Sequence, residues 1–145
     1  MTSRHVICLH GGNRYAIPLG LVRRVAEVTQ LARVPRAPPG LLGVMNHAGR
    51  VACIIDLGAL VGLRARPARP EGKVVLLQRA RGDLGLYVSE VAGIELISEE
   101  SAETLTEPQG AAIAELARPE GPLKLVDPEL LQRAIDTLVD SPAPR

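Results

Sequence analysis

Residues 34–63 read VPRAPPGLLGVMNHAGRVACIIDLGALVGL, a proline-rich approach followed by two apolar runs around a small turn. Prolines 35, 38 and 39 fix their own φ and bias the preceding residues away from helix, so the approach is extended. Residues 41–46 and 50–55 are aliphatic and partly β-branched, as strands are, and His47-Ala48-Gly49 between them supplies the turn. The second run ends in Asp56, a residue type whose carboxylate caps the free N–H groups of a following helix. A hairpin leading into a helix is therefore expected.

The same grammar extends in both directions. Residues 5–9 and 14–17 form a first pair of strands around Gly11-Gly12-Asn13, whose residue types supply the positive φ angles of a tight hairpin. Residues 18–24 fit one helical turn and 25–29 a third strand. The segment 63–72, LRARPARPEG, is poor in apolar residues and is the linker candidate. Beyond it, strands are expected at 73–79, 84–88, 94–97, 113–117 and 123–126, with a loop over 98–111. A helix is expected at 127–139, where Leu130, Leu131, Ile135 and Leu138 recur at helical spacing. Val51 to Asp56, with Leu57 and Leu60, mirrors Leu123 to Asp127, with Leu130 and Leu131. Gly12 to Ile17 likewise mirrors the run from Gly82. The chain is thus expected to be one domain over 1–145, built from two copies of one plan at 12–62 and 73–126. Two small barrels packed together would explain such a repeat, because each alone buries too little surface.

Composition narrows the function. Hydrophobic residues make up 46% of 145 residues, enough for a packed interior. No aliphatic run approaches the roughly 20 residues needed to cross a bilayer, and Arg4 and His5 precede only a short strand-like run. A soluble cytoplasmic protein with no membrane insertion is expected. The net charge is +1, and Tyr15 and Tyr87 are the only aromatic residues. Nucleic-acid binding is disfavoured, since single-strand binders need stacking platforms beside a basic groove. The arginines at 64, 66, 69, 79 and 81 cluster in sequence, but prolines and alanines separate the first three, as in a solvated connector.

The candidates for chemistry are few. Cys8 and Cys53 sit in apolar runs and are expected to be reduced and unpaired. His5 points away from Cys8 and His10 by strand alternation, and two residues on one face do not make a zinc site; no metal or cofactor is expected. No serine, at 3, 89, 98, 101 or 141, lies in a nucleophile-elbow context. Asp56 invites a hydrolase reading with a histidine, yet helix capping explains it better, as it does Asp127 before Pro128 and Glu129. A protein without a catalytic constellation is expected to bind other proteins.

The stretch resembles the CheW-like domain of bacterial chemotaxis adaptors at Pro35, Pro38, Gly43, Val44, Asn46, Gly49, Arg50, Ile55, Asp56 and Leu57. Tyr15-Ala-Ile-Pro18, Val25-Ala-Glu-Val28, Gly85-Leu-Tyr-Val88 and Leu125-Val-Asp127 follow in the family's order. The resemblance implies a mainly β fold of two small SH3-like five-stranded barrels, with short helices and a C-terminal helix. It also implies a cytoplasmic, receptor-array-associated adaptor that couples the tip of a methyl-accepting chemoreceptor to the regulatory domain of a histidine kinase. Val25, Glu27, Gly43, Val44, Asn46, His47, Gly49 and Arg50 are the expected partner contacts. Gly43 and Gly49 would let another backbone approach, and Asn46 would hold the turn or touch a partner. The chain departs from the family at Ala48, where many members carry arginine, and at 112–117. An adaptor with weakened kinase coupling is the alternative expectation.

Overall fold

The computed structural model describes residues 2–79 and 82–140, so that Arg81 and Ser141 lie outside the described residues. The fold is mainly β, with strands in two sheets and short helices. Strands β1 (Thr2–His10) and β2 (Asn13–Pro18) form a hairpin whose turn places Gly11 and Gly12 at φ 58° and 78°. After a 3-10 turn at Leu19–Leu21 comes β3 (Val22–Glu27). The extended proline-rich segment leads into β4 (Leu41–His47), β5 (Arg50–Asp56) and the one-turn helix α1 (Leu57–Leu60). After the connector come β6 (Lys73–Leu77), β7 (Asp83–Val88), β8 (Glu90–Ser98), β9 (Glu103–Gln109), β10 (Ala112–Leu116), β11 (Leu123–Val126) and α2 (Pro128–Val139). Asp127 caps α2, accepting from Leu130 N at 3.0 Å, and Pro128 occupies the first turn, where no N–H is needed.

Strand order does not follow chain order. One sheet runs β8-β1-β2-β11-β10-β9, the other β3-β6-β7-β5-β4. Each contains one parallel pair, β2 with β11 and β5 with β7, and in both the later strand of a hairpin leads into a helix. Residues 12–62 and 73–126 each supply strands to both sheets, so neither segment is a barrel by itself. The five-stranded sheet curls on itself. Ala32, just beyond β3, exchanges two backbone hydrogen bonds of 2.9 Å with Val44 on β4 at the far edge. The other sheet has six strands, β9 being the addition.

Three clusters fill the interior, and strand alternation sorts residues among them. Met45, Ala52, Ile54, Val74, Leu76 and Tyr87 line the inside of the five-stranded sheet. Ile7, Ala16, Ile97, Leu123 and Leu125 line the inside of the other. Between the sheets lies the largest cluster, with Val6, Cys8, Tyr15, Ile17, Ile55, Val75, Leu84, Leu86 and Val126 contributed by strands and Leu57, Leu60, Leu131 and Ile135 by the helices. Neighbours such as Val75 and Leu76, or Ile54 and Ile55, therefore face different cores. This double burial is why these strands read as unbroken apolar runs.

Two expectations shift. The third strand begins at Val22, earlier than residue 25. The expected loop 98–111 contains β9, whose ETLTEPQ sequence is polar on both faces and mostly exposed. An outer strand paired on one side only tolerates such a sequence and its proline.

Burial pushes the Cys8 thiol from 9.0 up to about 12 and raises the Tyr15 phenol in the same direction. Both groups hold their protons longer in the folded protein, so their effect is absent below pH 9 and destabilising above it. Unfolding free energy is expected to fall from pH 9 toward 12 by about 1.4 kcal/mol per pH unit for Cys8 alone. Urea titrations of the wild type and Cys8→Ala across that range check this; the variant should show the shallower decline.

Candidate functional site

The expected contact residues lie on the five-stranded sheet, in two groups. Val25 and Glu27 are exposed on β3 while Ala26 turns inward, and Glu27 approaches Lys73 Nζ at 3.5 Å. The others lie on the β4–β5 hairpin. Gly43 is buried at φ 147°, and a Cβ there would stand 2.6 Å from the Ala32 carbonyl oxygen. Its missing side chain thus admits the chain's own returning segment. Gly49 sits at φ 80° with open space around it, and Asn46 Oδ1 accepts from its N–H at 3.2 Å, holding the turn. Ala48 takes a left-handed φ of 50°, unusual for a residue with a Cβ. The buried Nε2 of His47 has no hydrogen-bond partner among the described residues. Arg50 Nε meets Asp83 Oδ2 at 2.6 Å, and Arg23 Nη1 from β3 meets Asp83 Oδ1 at 3.0 Å.

Cross-strand pairing places Val44 opposite Cys53 and Asn46 opposite Val51, while Met45 and Ala52 face inward. The outward face of the hairpin is therefore an aliphatic strip, with Val51 63% exposed. The sequence does not single out Val51 as exposed, because its run is apolar throughout and periodicity alone does not say which face is outside.

Asp56 overturns the capping expectation. It stands at the N-terminus of α1, but its side chain caps nothing there. Completely buried, it accepts from His10 Nε2 at 2.5 Å and from the Arg66 backbone N–H at 3.0 Å. His10 ends β1 in the other sheet and is 5% exposed; its ring packs edge-on against Tyr87, centroids 5.7 Å apart. Its Nδ1 lies 3.2 Å from Ser89 Oγ. With both Asp56 oxygens accepting, the ring proton sits on Nε2, Nδ1 presents its lone pair, and the Ser89 hydroxyl donates to it. The connector is tied to this group as well, since the Arg69 N–H donates to Tyr87 Oη at 2.9 Å. A cavity of about 460 Å³ opens beside it, lined by His10, Arg66, Arg69, Tyr87 and Ser89 among others.

The order serine, histidine, aspartate is that of a hydrolase relay, though here Ser89 meets Nδ1 and Asp56 meets Nε2. Serine hydrolases use the nucleophile's own N–H to hold the developing oxyanion. In this chain the Ser89 N–H is spent on the Leu9 carbonyl at 3.1 Å. A hydrolytic cycle at Asp56 has no support in that geometry. His5, by contrast, turns back to its own strand, Nδ1 3.1 Å from the Ser3 carbonyl oxygen.

Removing the donor that faces a buried carboxylate leaves that carboxylate uncompensated. His10→Ala is expected to cost about 3–5 kcal/mol in urea unfolding. Asp56→Asn should cost about 1–3 kcal/mol, because an amide offers one acceptor where two donors converge. A loss below about 0.5 kcal/mol for both variants would contradict this account of the pair.

Comparison with known proteins agrees with the fold. The sequence profile of the CheW-like domain matches residues 4–135. A Rhizobium etli protein described as a probable chemotaxis protein CheW is 32% identical over 92 residues, covering 62% of this chain and 58% of that protein. Protein PilI of Pseudomonas aeruginosa is 29% identical over 85 residues, 59% of this chain and 48% of its own length. The match thus spans roughly half of these relatives. The crystal structure of the scaffolding protein TtCheW from Thermoanaerobacter tengcongensis matches the fold with a TM-score of 0.74 over 90% of this chain and 88% of that one, at 18% identity. Among the described residues no helix is long and apolar enough to cross a membrane.

Proposed function

The chain belongs to the CheW-like domain family, and on that premise we propose that it is a non-enzymatic adaptor of a chemotaxis-type pathway. It joins a chemoreceptor's cytoplasmic tip to the regulatory domain of a histidine kinase, at the cytoplasmic side of a receptor array. The observation that carries this reading is the outward strip of the β4–β5 hairpin. Val44, Val51 and Cys53 offer aliphatic area, Asn46 pins the turn, and a curled sheet holds the strip rigid. Modest contact between proteins needs apolar area and fixed presentation, with a polar rim and no reacting group. Val25 and Glu27 on β3 serve as a second contact.

A second reading, tip binding with weakened kinase coupling, is favoured by Ala48 and Arg50 together. Ala48 lacks the guanidinium of many relatives. Arg50, the nearest substitute, is engaged by Asp83 at 2.6 Å, and a fork held by a carboxylate has fewer donors left for a partner.

Titrating a receptor-tip peptide and an isolated kinase regulatory domain against the labelled chain tests both readings. Amides of residues 41–51 are expected to shift with the tip while those of 73–77 stay fixed. Val51→Asp should weaken tip binding by about tenfold or more, the scale of a central contact residue, with no change in unfolding midpoint. Ala48→Arg should strengthen the kinase interaction. Absence of binding to either protein would contradict the proposal.

A further inference from the structure

The His10 cavity takes no part in the adaptor reading, yet it joins Asp56, His10, Ser89 and Tyr87 in one hydrogen-bonded and packed group. Its chemistry follows from hydrogen-bond direction. The buried Asp56 accepts from His10 Nε2–H and from the Arg66 N–H, which leaves Nδ1 as an acceptor facing Ser89 Oγ at 3.2 Å. The Ser89 proton therefore has a base within reach, held in orientation by a carboxylate on the other sheet. Ser89 itself is exposed. Around it, Arg66 and Arg69 line the cavity, and among the described residues neither has a carboxylate within ion-pair distance. Their backbones are fixed, through Arg66 N to Asp56 and Arg69 N to Tyr87 Oη, so both arginines are kept at the cavity. One rim carboxylate, Glu71, opposes them.

We propose that Ser89 is a covalent acylation site served by small acyl phosphates. Ser89 Oγ attacks the carbonyl carbon and its proton passes to His10 Nδ1. The carbon–oxygen bond to phosphate breaks, and phosphate leaves as the anion that Arg66 and Arg69 attract. The product is a serine ester, with the proton returned from His10 to the departing phosphate. Because the Ser89 N–H is committed to Leu9, the tetrahedral oxyanion of either step lacks that donor; the acyl phosphate, an activated mixed anhydride, reacts without it, whereas the unactivated serine ester does not. The ester accumulates and no turnover follows, which suits an adaptor. An acyl group on Ser89 removes the donor to His10 and occupies the cavity that the connector overhangs. The mark thus alters a place where both sheets and the connector meet.

Acetyl phosphate is the probe, and peptide mass mapping of the intact chain is the readout. Ser89 is expected to acquire one acetyl group about 100-fold faster than the exposed Ser101, within the range that a positioned base contributes. Ser89→Ala abolishes the labelled peptide, and Arg66→Gln with Arg69→Gln raises the acetyl phosphate concentration needed for half-maximal rate. His10 and Asp56 act as base and positioning residue. Asp56→Asn, with folding verified by circular dichroism, should displace the pH profile of labelling, which a merely structural pair would not do. Acetylation of Ser89 no faster than of Ser101, acetylation confined to lysines, or phosphorylation of Ser89 in place of acetylation would each overturn the proposal. The wild-type comparison with Ser101 stands even if a variant does not fold.

Discussion

The strands at the centre of this chain bury both of their faces. Ile54 looks into the curled sheet and Ile55 into the layer between the sheets; Ile7 and Cys8 divide in the same way on the opposite side. Neither sheet completes its burial without the other, and the middle layer is the larger share of the apolar interior. The chain's route reinforces this. Residues 12–62 supply β2 to one sheet and β3, β4 and β5 to the other, while 73–126 add strands to both, so separating the sheets also means pulling apart strands from distant parts of the sequence. Long-range pairing of this kind is slow to form and hard to undo piecemeal.

One polar pair bridges that apolar layer. His10 and Asp56 come from different sheets and bury a charge where an aliphatic pair would pack without a desolvation cost. What the pair gains is position: it ties the ends of β1 and β5 to the connector at Arg66, with Tyr87 fixing Arg69 beside it. A segment lacking strands and helices is thereby held at backbone level, beside the sheet that carries the hairpin proposed for partner contact. Buried polar groups that satisfy one another specify a unique arrangement even where they add little stability.

Much of this was legible in the sequence. The hairpin at 41–55, the helix capped by Asp127 and the mainly β class followed from apolar runs, turn residues and their order, and the family from the motifs that resemble it; the halves 12–62 and 73–126, expected as two barrels, instead share both sheets. The reading stopped where side chains meet across the fold. Asp56 looked like a cap because the local pattern matches Asp127, but its actual partner, His10, lies at the end of another sheet's strand, and no local rule reports that. Gly43 read as an opening for a partner, whereas Ala32 fills the space. Strand β9 escaped notice because a polar outer strand has no hydrophobic alternation to reveal it. Val51 went unnamed for the opposite reason: in an unbroken apolar run, the exposed position looks like its buried neighbours.

Hydrogen exchange under native conditions tests the shared middle layer most directly. Amides of Ala16 and Leu125 in one sheet and of Ile54 and Leu86 in the other should open with free energies that agree within about 1 kcal/mol, the mark of one cooperative unit. Opening of either sheet at a cost more than about 2 kcal/mol below the other would mean that the two fold separately, and the interdependence described above would be wrong.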